Sequence, residues 1–67
     1  MAKQNQSQKD RYLINYIELD GEEKNITAKK KREAMAYYNM LSESEVSFKA
    51  VIDQVNDEVL AQYSMKT

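Results

Sequence analysis

Apolar positions along this chain fall into three stretches of different period, separated by short polar segments. The first ten residues, MAKQNQSQKD, carry no branched or aromatic apolar side chain after Met1. Burial cannot offset their ordering entropy, so residues 1–10 are expected to form a mobile polar tail ahead of one domain over 11–67. The first apolar stretch, Tyr12-Leu13-Ile14-Asn15-Tyr16-Ile17-Glu18-Leu19, is rich in aromatic and β-branched residues. Such residues suit a pleated surface, and the stretch reads as a strand. Asp20-Gly21 follows, a dipeptide that tolerates the positive φ angles of a tight turn, and Glu22 to Thr27 returns as the partner strand carrying Ile26.

Thr27 suits a helix N-cap, because its hydroxyl can accept a bond from an orphan backbone amide. Good helix formers run from Ala28 to about Ser42 without glycine or proline. Steps of 100° place Ala34, Tyr37, Tyr38 and Leu41 on one stripe, flanked by the stems of Lys30 and Lys31. Met35, Ala36 and Met40 fall away from it. The polar segment Ser42-Glu43-Ser44-Glu45 should end the helix.

Two patterns compete in the last third. Phe48, Val51, Ile52, Val55, Val59 and Tyr63 recur at helical spacing, whereas Val46, Phe48, Ala50 and Ile52 alternate, as do Val59, Ala61, Tyr63 and Met65. A two-residue turn at Asn56-Asp57 would pair Gln54 with Val59, Ile52 with Ala61, Ala50 with Tyr63 and Phe48 with Met65. Both alternating sets then share one face, which favours a hairpin over a helix. Ser47, Lys49, Asp53, Gln62 and Ser64 would show on the opposite face, with Val51 and Leu60 as exceptions.

The expected fold is therefore α+β, ββαββ: a four-stranded antiparallel sheet with one helix packed on one face. A single helix covers only one side of a sheet. The first strand is apolar on both sides, with Leu13, Ile17 and Leu19 on one and Tyr12, Ile14 and Tyr16 on the other. One set must face the open side, and a patch bearing tyrosine and isoleucine there would serve a partner or a second copy of the chain.

Composition narrows the chemistry. At 67 residues, with no cysteine and no histidine, the chain lacks disulfides, thiolate ligands and the commonest general base and zinc ligand. Folding at this length buries only about 60% of the chain surface. The tyrosines, serines and lysines that remain have no base or glycine-rich phosphate loop beside them, so no enzyme, cofactor or metal site is expected. Asp20, Glu22 and Glu23 surround the first turn and Asp53, Asp57 and Glu58 the last. Without EF-hand spacing they read as solvated turn residues. No apolar run is long enough to span a membrane and no apolar leader follows Met1, which points to the cytoplasm.

Net charge is −1, so any electrostatic recognition must be local. Lys29-Lys30-Lys31-Arg32 is the outstanding feature. At a helix start each cation costs about 0.3–1 kcal/mol rather than helping. Either a phosphate backbone or acidic surface compensates, or solvent screening makes the run cheap. Tyr37 and Tyr38 lie on the same helix, but the stripe assigns them to the core rather than to base stacking.

The first strand Tyr12-Leu13-Ile14-Asn15-Tyr16, the Ile26-Thr27-Ala28 entry to a lysine-containing helix, and the closing segment from Ala50 to Ala61 together resemble a group of small phage and mobile-element proteins. Among these are compact ββαββ anti-CRISPR proteins that block the type I-F surveillance complex. The likeness covers roughly residues 12–64. This chain departs from it in its polar leader and in carrying Asn56-Asp57 where Asn-Gly is more typical. The resemblance implies a protein that occupies the guide- or target-binding surface of a host nucleoprotein machine, in the cytoplasm of the host cell. The expected partner-binding residues are Lys29, Lys30, Lys31 and Arg32 for attraction, with Tyr12 and Tyr16 as anchors. The alternative is a small nucleic-acid-binding regulator that sets the same basic run on phosphates, and a homodimer through the open sheet face is a third arrangement.

Overall fold

The computed structural model describes residues 10–65, so the tail reading of residues 1–10 lies, but for Asp10, outside the described residues. Strands β1 (Tyr12–Glu18) and β2 (Glu23–Ala28) precede helix α1 (Lys31–Met40), and β3 (Val46–Asp53) and β4 (Glu58–Ser64) follow it. The strands form one sheet in the order β2-β1-β3-β4, with every neighbouring pair antiparallel. This is the expected ββαββ arrangement. The two hairpins meet through β1 and β3, and α1 lies on one face against β1, β2 and β3.

The first hairpin closes where Asp20-Gly21 predicts, through a three-residue loop, Leu19–Gly21. Gly21 donates its amide to the Glu18 carbonyl at 2.8 Å and stands at φ +95°. A turn followed by a left-handed glycine returns the chain with the twist a hairpin needs. β2 then runs past the expected N-cap. Thr27 pairs with Leu13 and Ala28 with Tyr12, and Ala28 is buried in the core. Ladder bonds and burial there outweigh one capping bond, so the helix begins three residues later than its propensity suggests. Lys30 occupies the N-cap position in an extended conformation without a side-chain cap.

Ile14 and Val51 are the two largest fully buried side chains, paired directly across β1 and β3. Tyr12, Ala28, Ala34 and Tyr38 surround them, with Ile26, Met35, Leu41, Leu60 and Ala61 packed at the margin. The helix thus presents its Ala34–Tyr38 row to the sheet. Met35, expected to point away, flanks that row, and Tyr37, expected in the core, is exposed. The rotation follows from the fixing of Tyr38, whose ring lies 4.2 Å below the Lys49 ammonium.

The second hairpin exists, but its register differs from the alternation-based pairing. Asp53 opposes Glu58 across a four-residue loop, Gln54–Asp57, in which Asp57 takes φ +55°. Between Val51 and Ile52 the pairing shifts by one, so Leu60 is an extra residue in β4. A one-residue shift turns a strand over. Phe48, Ala50 and Ile52 therefore face away from the helix, while Ala61 and Tyr63 lie on the helix side with Val51 and Lys49.

That inversion puts two charges inside. Lys49, expected on the polar face, is 4% exposed and so is Asp53. The Lys49 ammonium donates to the carbonyls of Tyr38 at 2.9 Å and Leu41 at 2.8 Å. Those carbonyls end the helix, where the Tyr38 carbonyl otherwise accepts only the Leu41 amide at 3.3 Å, and the site also carries the negative end of the helix dipole. Asp53 accepts a two-bond fork from the Arg11 guanidinium at 3.0 and 2.9 Å. It also accepts the amides of Val55 and Asn56 and the Asn56 side-chain amide. The Arg11 fork, more than any other contact, holds its carboxyl down to about 2 from an ordinary 3.8. Asp53 is thus a buried organiser of the turn, not the solvated turn acid its position suggests.

Two outcomes follow from these charges. Lys49→Met retains much of the stem but removes the ammonium from both helix-end carbonyls, leaving Tyr38 only the Leu41 amide, and should lower stability by about 2–3 kcal/mol in chemical denaturation. Because folding lowers the Asp53 pKa, its stabilising effect is complete above about pH 4 and fades as pH falls toward 2. Asp53→Asn should be less stable than wild type at pH 7, and the gap should narrow in thermal melts taken between pH 4 and pH 2.

Candidate functional site

The sheet face away from α1 carries apolar side chains that no described helix covers. Alternation places Leu13 and Ile17 of β1 there, beside Phe48 and Ile52 of β3 and Val59 of β4. Ladder pairs carry a Leu13–Ile52–Val59 row across three strands, and an Ile17–Phe48 pair lies on the far side of the Asn15–Ala50–Gln62 row. Four of the five are half-buried, and Val59 is 54% exposed. Ala50 sits at the centre between Asn15 and Gln62, its small side chain buried by its neighbours. Thr27, Asn25 and Glu23 of β2 supply a polar margin on the same face. The face thus has two apolar groups flanking a narrow central row with polar ends, edged by polar residues, and mixed apolar and polar area of this kind is what recognition surfaces present.

The open face is not the tyrosine face. Tyr12 is 7% exposed and belongs to the core beneath the helix. Tyr16 lies on the same side, between Lys24 and Lys49 on the adjoining strands. Leu13 and Ile17, the other alternating set of the same strand, occupy the open face expected to hold Tyr12 and Tyr16. Alternation alone separates the two sets but cannot say which one the helix covers. The small residues of α1, Ala34 above all, make room for the bulkier tyrosine side.

Lys29, Lys30, Lys31 and Arg32 are all exposed. Lys29 and Lys30 form the link from β2, and Lys31 and Arg32 open α1, rather than all four filling the first helical turn. The ion pairs among the described residues are Arg11–Asp53 and Lys24–Glu18, so the run is not neutralised by a neighbouring carboxylate. Its charges add to the partial positive charge of the helix start. Tyr37 is exposed further along the same helix. The basic run and the apolar patch belong to different sides of the molecule, since α1 and the open face lie on opposite sides of the sheet.

Acidic groups gather at the first loop, where carboxylate oxygens of Glu18, Asp20 and Glu22 come within 4.8 Å of one another. Local structure accounts for them. Asp20 accepts the Glu22 amide at 2.9 Å, and Glu18 pairs with Lys24 at 3.1 Å, which raises the Lys24 pKa. No helix among the described residues is long and apolar enough to cross a membrane. Comparison with protein-family models, curated proteins and solved structures found no match to this chain.

The two classes of candidate residue should separate in a stability assay. Tyr12→Ala empties a core position and should cost about 3–5 kcal/mol. Lys30→Glu/Lys31→Glu, at exposed positions at the helix start, should not destabilise and should raise stability by up to about 1 kcal/mol per substitution in urea unfolding at low salt.

Proposed function

We propose that this chain is a non-enzymatic binding protein that inhibits or modulates a host protein or nucleoprotein complex by occupying its surface, in the manner of the phage anti-CRISPR proteins it resembles. One observation carries the reading: the apolar patch of Leu13, Ile17, Phe48, Ile52 and Val59 lies on the sheet face opposite the only helix in the described residues. A chain this small has few apolar side chains with which to build a core. Five of them on an uncovered face are better explained by a partner that completes their burial than by stability of the monomer. The basic run from Lys29 to Arg32 then attracts an acidic or nucleic-acid-bearing partner. Charge of this kind acts chiefly on association rate, while buried apolar anchors set residence time.

A second reading makes the chain a nucleic-acid-binding regulator. The observation that favours it is the pairing of four unneutralised basic residues with an exposed aromatic, Tyr37, at the same helix. Basic side chains on phosphates and an aromatic under a base are the two elements of single-strand binding.

Affinity capture from host lysate, with and without nuclease, tests the first reading using wild type, Ile52→Lys and Lys30→Glu/Lys31→Glu. A specific partner lost with Ile52→Lys supports the open face, whereas a partner retained by Ile52→Lys and lost with the double variant moves recognition to the basic run. Duplex DNA titrated against salt tests the second. Four phosphate contacts give a log–log slope near about −3.6, and absence of binding at low salt removes that reading.

A further inference from the structure

The two edges of the sheet are not alike. β2 is six residues long, bears Glu23 and Lys24, and has α1 packed against it. β4 is seven residues long, has no helix against it among the described residues, and carries no fully buried residue. From Ala61 to Met65 it contains no charge. Charged side chains and a covering element are the usual protections of a sheet edge, and among the described residues this half of β4 has neither.

The backbone pattern of that segment can be read from its bonds. Met65 donates its amide to the Ser47 carbonyl at 2.8 Å, in step with the Phe48–Ser64 and Lys49–Tyr63 pairs. Backbone groups in an antiparallel ladder alternate in direction. Met65, Tyr63 and Ala61 therefore direct their N–H and C=O groups toward β3, and Gln62 and Ser64 direct theirs outward. Val59 also points outward, but the extra residue Leu60 breaks the step between it and Gln62.

We infer that β4 pairs with β4 of a second copy of this chain, antiparallel and centred on Tyr63. That register sets Gln62 against Ser64 of the partner and Ser64 against its Gln62, so one two-fold axis satisfies all four outward groups on each chain. On the helix side the same axis places Tyr63 against Tyr63 and Ala61 against Met65, twice. The result is an uninterrupted apolar row where α1 leaves the sheet uncovered; Met65 is 39% exposed in the single chain. Aromatic and apolar cross-strand pairs of this kind stabilise antiparallel ladders. No like charges oppose one another within the paired segment. A heterologous strand would satisfy the same backbone groups; a second copy does so with a two-fold axis that pairs the alternate residues Ala61, Tyr63 and Met65 among themselves. The pairing joins two four-stranded sheets into one of eight strands and doubles the length of the open face.

Sedimentation equilibrium across micromolar to millimolar chain concentrations, with backbone amide exchange at both ends of that range, tests the inference. The expected result is a mass rising toward twice the monomer, with the Gln62 and Ser64 amides gaining protection as it rises. Ser64→Pro removes an outward donor without touching the β3 ladder and should hold the mass at the monomer, with the remaining amide shifts unchanged. A chain that stays monomeric at millimolar concentration overturns the inference. So does a dimer that persists in Ser64→Pro and dissociates in Ile52→Lys, which would place the contact on the open face. If Ser64→Pro misfolds, wild-type exchange decides: Gln62 and Ser64 amides that stay unprotected in the dimer refute edge pairing.

Discussion

The ammonium of Lys49, lodged under the last carbonyls of the helix, fixes how the helix meets the sheet. A ten-residue helix with no side-chain N-cap, no basic residue in its last turn and three exposed cations near its start has little intrinsic stability. Lys49 supplies from β3 what the helix lacks. It gives donors to the Tyr38 and Leu41 carbonyls, a positive charge at the negative dipole end, and a cation over the Tyr38 ring. Burial of that ring raises the Tyr38 pKa, with Glu43 adding to the effect, so the phenol stays neutral beside the cation.

Asp53 plays the matching part four residues later on the same face of β3. Lys49, Val51 and Asp53 are successive inward positions, so the apolar core at β3 is one residue wide, with a satisfied charge on either side. Asp53 holds Arg11 before β1 and shapes the loop before β4, while Gln54 reaches the carbonyls of Arg11 and Asp10. A slip of either β3 ladder by one residue would turn both charges out of their partners' reach or bury them unpaired, which is among the costliest errors a small core can make. The register of the sheet is thus defined as much by two polar contacts as by the Ile14–Val51 pair.

This explains which parts of the molecule were legible in the sequence. The first hairpin was, because Asp20-Gly21 is a local signal for a local structure and β1 is strongly β-forming. The four-strand, one-helix arrangement was too, because alternation at residues 46–52 and 59–65 persists whatever the register. The register itself was not. It depends on a four-residue loop built around Asp53 and on an extra residue at Leu60, both set by contacts with Arg11 and the core. Lys49 and Asp53 look like surface residues in one dimension, and only the position of the helix end and of Arg11 shows why they are inside. The candidate site suffered the same inversion: β1 was known to be apolar on both faces, but the choice between Tyr12/Tyr16 and Leu13/Ile17 belongs to the helix. The basic run needed no tertiary information to be found, since no fold buries four consecutive cations cheaply.

A division of labour follows from the inward set. The helix-side residues of β1 and β3 are committed to structure, each by a contact that tolerates little change: Tyr12 and Ile14 by burial, Lys49 and Asp53 by bonds to specific backbone groups. The open-face residues carry no such obligation. Leu13, Ile17, Phe48 and Ile52 contribute only the side-by-side contacts of their own ladder, and substituting them leaves no buried charge unpaired and no helix end open. A fold anchored by polar contacts on one face is free to vary the other. Among the described residues that freedom lies with one sheet face, one basic corner and one edge strand, and the proposed recognition draws on those three surfaces.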